Sequence, residues 1–217
     1  MKLFLLLLTT TLATGLPGFH LASPLLTQAM LNQLKINYSD GAYHRGIAAN
    51  RMIEELAGRD VYEQLREVNR FFNQFEYRED HVHWGEQDYW ATPGEFVGTH
   101  QGDCEDFVIA KYFSLRKLGV PDERLYLTYV KALRQDVAHM VLSYFETPTS
   151  VPLILDNYNP EILSADQRRD LLPVYSFNAK SLFLTNASAG LAQALPTGKI
   201  RNSKWEKLLR DIHRESP

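Results

Sequence analysis

Gly102-Asp103-Cys104-Glu105-Asp106-Phe107 opens an apolar helical pattern that continues through Ile109, Ala110, Phe113 and Leu118 and stops at Gly119, with Pro121 just beyond. Three β-like runs follow, Leu125 to Lys131, Ala138 to Phe145 and Val151 to Asn157, the last two separated by a Thr147-Pro148 turn. Upstream the pattern is helical. Tyr43 to Leu56 forms one candidate helix, and Val61, Leu65, Val68, Phe72 and Phe75 repeat at helical spacing behind an Asp60/Glu63 capping box. Glu79 to Gly85 reads as a polar turn or short exposed strand, and Tyr89-Trp90-Ala91-Thr92-Pro93-Gly94 as a loop. Near the end, Trp205, Leu208, Leu209 and Ile212 share one face of a short helix capped by Ser203 and Glu206. Helices, then the cysteine helix, then an antiparallel sheet make an α+β domain.

The chain has 217 residues, 45% hydrophobic and 23% charged, enough for one domain with a proper core. Its net charge of -3, with no basic face, argues against nucleic acid as a partner. No glycine-rich phosphate loop and no GxSxG elbow is present. Met1-Lys2-Leu3-Phe4-Leu5-Leu6-Leu7-Leu8 gives one positive charge and then an apolar run to about Ala13. This reads as a secretory signal peptide over residues 1–15, its end falling between 15 and 22, ahead of a single domain over 16–217. The stretch is too short for a membrane span. Its removal takes away Lys2 and brings the net charge from -3 to -4.

Cys104 is the only cysteine, so an exported form has no partner for a disulfide. An unpaired thiol at a helix start, with a His and an Asp on following strands, is the arrangement of a nucleophilic cysteine. If the turn is centred between Thr147 and Pro148, residues whose numbers sum to 295 face each other, and His139 and Asp156 do. Opposed residues have Cβ atoms about 5 Å apart. A carboxylate there can orient the imidazole and hold its second nitrogen toward the thiol. His81 and His83 suggest zinc only weakly, for want of a third ligand. The oxyanion needs the Cys104 backbone N–H and a second donor, for which the Trp90 indole is the first candidate; Tyr89 and Trp90 can equally form a cleft wall or pack in the core.

Asp103, Glu105 and Asp106 crowd a sulfur that must ionise. One carboxylate about 6 Å away, at an effective dielectric near 20, disfavours a thiolate by roughly 3 kcal/mol. The helix N-terminus offsets only about 0.3–1 kcal/mol of that. A bound dication reverses the local field, and clustered oxygen ligands suit Ca²⁺. The alternative is that Asp103 caps the helix and Asp106 sits in its first turn, with no metal.

The cysteine stretch, together with Tyr129-Val130-Lys131-Ala132, His139-Met140-Val141-Leu142 and Leu155-Asp156-Asn157, resembles the bacterial transglutaminase-like cysteine proteinases, in particular the LapG-type periplasmic proteases. Trp90-x-Thr92-Pro93 and Pro173-Val174-Tyr175-Ser176-Phe177-Asn178 fit the same pattern, and the resemblance covers roughly residues 35 to 180. It implies a papain-like, transglutaminase-core fold with Cys104, His139 and Asp156 as the triad, and Ca²⁺ held by Asp103 and Glu105, then Asp106. It further implies a large surface adhesin as substrate, cut near its N-terminus at a small-residue pair such as Ala-Ala, so that adhesin release disperses biofilm. An inner-membrane cyclic di-GMP receptor is the implied inhibitory partner. Two other readings stay open: acyl transfer or amidase chemistry by the same thiol, and a binding module that has lost catalysis.

Overall fold

The computed structural model describes residues 23–179, 182–186, 190–194 and 203–215. The leader expected at residues 1–15, ending between 15 and 22, lies outside them. In chain order the elements are α1 (Gln28–Asn37), α2 (Asp40–Leu56), α3 (Val61–Phe72), β1 (Glu76–Tyr77), α4 (Asp80–His83), α5 (Pro93–Thr99), β2 (Gln101–Gly102) and α6 (Cys104–Lys117). A 3₁₀ turn at Asp122–Arg124 leads into β3 (Leu125–Ala132), β4 (Val137–Tyr144), β5 (Leu153–Leu155), β6 (Leu163–Ser164), β7 (Leu171–Phe177), β8 (Leu182–Asn186), β9 (Gly190–Ala194) and α7 (Ser203–Glu215). Among the described residues no helix is long and apolar enough to cross a membrane.

The α+β expectation holds: helices come first, and α6 lies on an antiparallel sheet of order β6-β5-β4-β3-β7-β8-β9. Leu125 and Leu127 of β3, Met140 and Leu142 of β4, and Leu155 of β5 are fully buried with Ile109 and Leu115 of α6. Phe72, Phe96 and Phe107 extend this core to α3 and α5, with ring centroids 6.1 Å (Phe72–Phe96) and 4.9 Å (Phe96–Phe107) apart. Val130, Val141 and Ile154 form a smaller cluster of their own.

Several sequence expectations need correction. Glu79 to Gly85 is neither turn nor strand but contains α4, whose four residues are too few to display a helical period. The loop read at Tyr89 to Gly94 ends in α5: Thr92 caps it in a capping box with Glu95, and Pro93 occupies the first helical position. The third β-like run pairs only over Leu153–Leu155. β7 lies between β3 and β8, and its Pro173 sits at the register shift between Tyr129 and Val130, where a missing N–H is tolerated.

Candidate active site

Cys104 is the first residue of α6, and two devices fix that position. The Asp103 carboxylate caps the helix by accepting from the Glu105 N–H (3.2 Å), while Asp106 accepts back from the Asp103 N–H (3.3 Å). Gly102 leaves room for this box, since a Cβ there would lie 2.4 Å from Asp106 Oδ2 and 2.8 Å from a Phe96 ring carbon. Both capping roles expected in the metal-free alternative are therefore real. The free thiol is 7% exposed and donates to Glu105 Oε2 (2.8 Å), while its sulfur accepts from the Met140 backbone N–H on β4. Burial pushes the thiol well up, and Glu105 and Asp103 push it further.

That backbone contact sets the nucleophile beside the strand carrying His139. The buried imidazole donates from Nε2 to Asp156 Oδ1 (2.8 Å). Asp156 is fully buried. Oδ1 also accepts from the Tyr158 N–H (3.0 Å), and Oδ2 accepts from Arg168 (2.7 Å), itself paired with Asp170. Burial works to raise this carboxyl, but His139, the Tyr158 N–H and Arg168 outweigh it and bring it down to about 2. An ionised Asp156 cannot donate, so the proton of the pair sits on Nε2 and Nδ1 is the basic nitrogen. Nδ1 is buried and has no hydrogen-bond partner. Below the pair, fully buried Lys111 donates to Asn73 Oδ1 (2.7 Å), and Asn73 donates to the Asp156 carbonyl (2.8 Å). Burial lowers Lys111 to about 7, with Asp156 opposing.

The register behind the pair differs from the expected one. Leu142 faces Leu155 and Tyr144 faces Leu153, so facing residues sum to 297 and not to 295. Ser150 N–H closes the turn onto the Thr147 carbonyl (3.0 Å), which moves its centre to between Pro148 and Thr149. A shift of two residues preserves the side-chain parity that a shift of one would reverse. His139 and Asp156 still meet, through the imidazole–carboxylate hydrogen bond just beyond the end of the pairing.

The carboxylates form two overlapping groups, Asp103–Cys104–Glu105 and Asp80–Asp103–Asp106, each with ligand atoms within 4.8 Å of one another. Asp80, from α4, was hidden in the polar stretch whose helix the sequence did not reveal. Its Oδ1 is buried without a partner, and Oδ2 accepts from the Tyr89 N–H. Burial, then its acidic neighbours, raise Asp103 to about 11, while Asp80 is raised to about 6 mainly by burial. Asp106 is also pushed well up by burial; its Oδ1 accepts from Ala91 N–H (2.8 Å). Carboxylates packed this closely need protons or a cation between them, and an all-oxygen set with one orphaned buried oxygen fits a hard divalent cation. No histidine belongs to either group among the described residues.

The aromatic candidates separate. Trp90 is 5% exposed, stacks on Phe177 (6.0 Å, 16°), and its indole N–H is buried without a partner. Tyr89 donates to Glu95 Oε1 (2.8 Å), lies 4.8 Å from the Trp84 ring and carries Lys207 over its face at 4.7 Å. Arg168, Tyr158, Asn73 and Lys111 were missed by sequence reading. Single polar residues in loops or helices carry no spacing signal, although a lysine on the buried face of α6 was a visible anomaly.

Comparison with known proteins gives three findings. The family model described as bacterial transglutaminase-like cysteine proteinase matches residues 45–170. Legionella pneumophila LapG is 40% identical over 88% of this chain and 99% of its own, with a TM-score of 0.72. Structures of the same protein described as EGTA-treated (40% identity, 88% and 100% coverage, TM-score 0.74) and calcium-bound (41%, 84% and 97%, TM-score 0.72) match equally well. Comparison with curated proteins gave no match.

Proposed function

Since the chain belongs to the bacterial transglutaminase-like cysteine proteinases, we propose that it is a calcium-dependent endopeptidase whose Cys104, His139 and Asp156 form the triad. One observation carries the assignment: the His139–Asp156 pair leaves Nδ1 buried without a partner, on the strand whose next residue, Met140, meets the Cys104 sulfur through its N–H. Cys104 Sγ attacks the scissile carbonyl carbon while His139 Nδ1 takes the thiol proton. The same proton then passes to the departing amine, leaving an acyl-enzyme. Water attacks that thioester, giving its proton to Nδ1, and the thiol is regenerated as the acid product leaves. Throughout, Asp156 holds the imidazole tautomer and stabilises the imidazolium, with Arg168 keeping the carboxylate ionised. The Cys104 N–H and the unpartnered Trp90 indole N–H serve the oxyanion.

Calcium is held by Asp80, Asp103 and Glu105 with Asp106 beside them, and when bound it supplies positive charge near the sulfur. The calcium-bound relative and the carboxylate grouping here both support this. Without such a charge, Glu105 keeps the thiol protonated as its hydrogen-bond acceptor. Glu105 and Asp103 thus change from opposing ionisation to holding the charge that favours it.

The substrate is a large surface adhesin, cut near its N-terminus at a small-residue, Ala-Ala-like site, and its release promotes biofilm dispersal. An N-terminal signal peptide sends the enzyme to the periplasm, as one domain over 16–217, where an inner-membrane cyclic di-GMP receptor restrains it. The support is the sequence resemblance and the apolar run at Leu3 to Leu8. The test is to incubate the mature protein with N-terminal adhesin segments, in Ca²⁺ or in EGTA, and map fragments by mass spectrometry. Cleavage between two small residues in Ca²⁺ alone is expected; cleavage at bulky residues, or equally in EGTA, contradicts the proposal.

A further inference from the structure

The Tyr158 ring lies flat on the His139 imidazole, with centroids 4.0 Å apart and planes 6° from parallel. Tyr158 is 37% exposed, so core packing does not explain its placement. Its backbone N–H reaches the same Asp156 oxygen that holds His139 Nε2. Tyr77, 42% exposed, meets this ring edge-on, with centroids 5.8 Å apart at 63° and a hydrogen bond between the two side chains. Tyr77 ends β1, whose parallel partner is Gly102, two residues before the nucleophile. The two rings therefore run from the strand beside the nucleophile to the face of the base.

A hydrogen bond at Nε2 fixes one atom of the imidazole and leaves the ring free to tip about it. Nδ1 has no hydrogen-bond partner that would stop this motion. A flat contact normal to the ring removes that freedom, and an aromatic face also favours the imidazolium formed when the thiol gives up its proton.

We propose that Tyr158 is a positioning residue for His139, holding the imidazole plane by stacking while Tyr77 braces it against the strand beside the nucleophile. The inference rests on the assignment of His139 as the base. The stack on His139 requires only a six-membered ring at 158, whereas the brace requires the hydroxyls of both tyrosines.

The test uses the full mature protein in Ca²⁺ and measures alkylation of its single thiol by iodoacetamide at pH 7, read by intact mass. Unfolding temperature and the NMR signals of the His139 ring protons are followed in parallel. Tyr158→Leu should be alkylated about tenfold more slowly, as expected for a lost imidazolium–aromatic contact. Its His139 protons should also lose the upfield shift given by a stacked ring, with the unfolding temperature unchanged. Tyr158→Phe should keep the shift and, having lost only the hydroxyl of the brace, be slowed no more than about two- to threefold. Tyr77→Phe, which removes one hydroxyl and keeps the ring, should be slowed about two- to threefold and still fold normally. A Tyr158→Leu rate within twofold of the parent, or a Tyr158→Phe rate as slow as Leu, overturns the proposal. A His139→Ala protein alkylated as fast as the parent would instead overturn the base assignment beneath it.

Discussion

Asp156 carries three hydrogen bonds on one fully buried carboxylate, from His139, the Tyr158 N–H and Arg168. Asparagine at this position replaces one acceptor oxygen with a donor and favours the opposite imidazole tautomer. Asp156→Asn should keep the fold and lower kcat by about 10³–10⁴-fold, measured with any cleaved peptide. The same carboxylate has a stability signature. Its folded value of about 2 is below the ordinary 3.8, so its stabilising contribution is complete above about pH 4 and is lost as pH falls through 2. Denaturation at stepped pH should show about 2 kcal/mol lost across that window, and Asp156→Asn should flatten this part of the profile. The three proposed catalytic residues were legible because one is the only cysteine, while His139 lies on β4 and Asp156 directly follows β5, across a readable turn. Arg168 and Asp80 were not, because an ion pair formed across loops, or a ligand on a one-turn helix, leaves no period in the sequence.

At the scale of elements, the junction of β2 and α6 determines where the sulfur and the carboxylates sit. Gly102 is its tightest point, with Asp106 Oδ2 2.4 Å from where a Cβ would stand. Gly102→Ala must push Asp106 out of the capping box. The expected result is a loss of about 1–3 kcal/mol in chemical denaturation, together with weaker Ca²⁺ binding by calorimetry; Ca²⁺ binding at parental strength would contradict this account of the junction. The cysteine helix and the α3 pattern were readable because long amphipathic periods with a clear stop are strong signals. α5 was hidden by Pro93-Gly94, which looks like a turn until the Thr92/Glu95 box is recognised. The strand pairing was misjudged by two residues, and the candidate pair survived only because the side-chain period of a strand is two.

Across the whole molecule, the carboxylate cluster joins α4 to the start of α6, so a cation there ties two separate segments as well as setting the charge near the thiol. Excess EGTA should abolish activity and lower the unfolding temperature; Ca²⁺ should restore both, and Mg²⁺, which demands a tighter octahedron, should not. Saturation at a hundredfold over the dissociation constant corresponds to about 2.7 kcal/mol of stability. Full activity in EGTA would count against the metal. The order of helices followed by an antiparallel sheet was legible in the sequence. The sheet's far side was not, because Pro173 interrupts β7 and apolar Leu172 and Val174 at exposed positions deprive it of polar–apolar alternation. The central claim, that Cys104 performs the proteolysis, is tested most directly by fragment release from an adhesin segment in Ca²⁺ by the parent and by Cys104→Ala. The parent should cut at one small-residue site while Cys104→Ala, with an unchanged unfolding temperature, releases no fragment; the same fragments from Cys104→Ala would contradict the account.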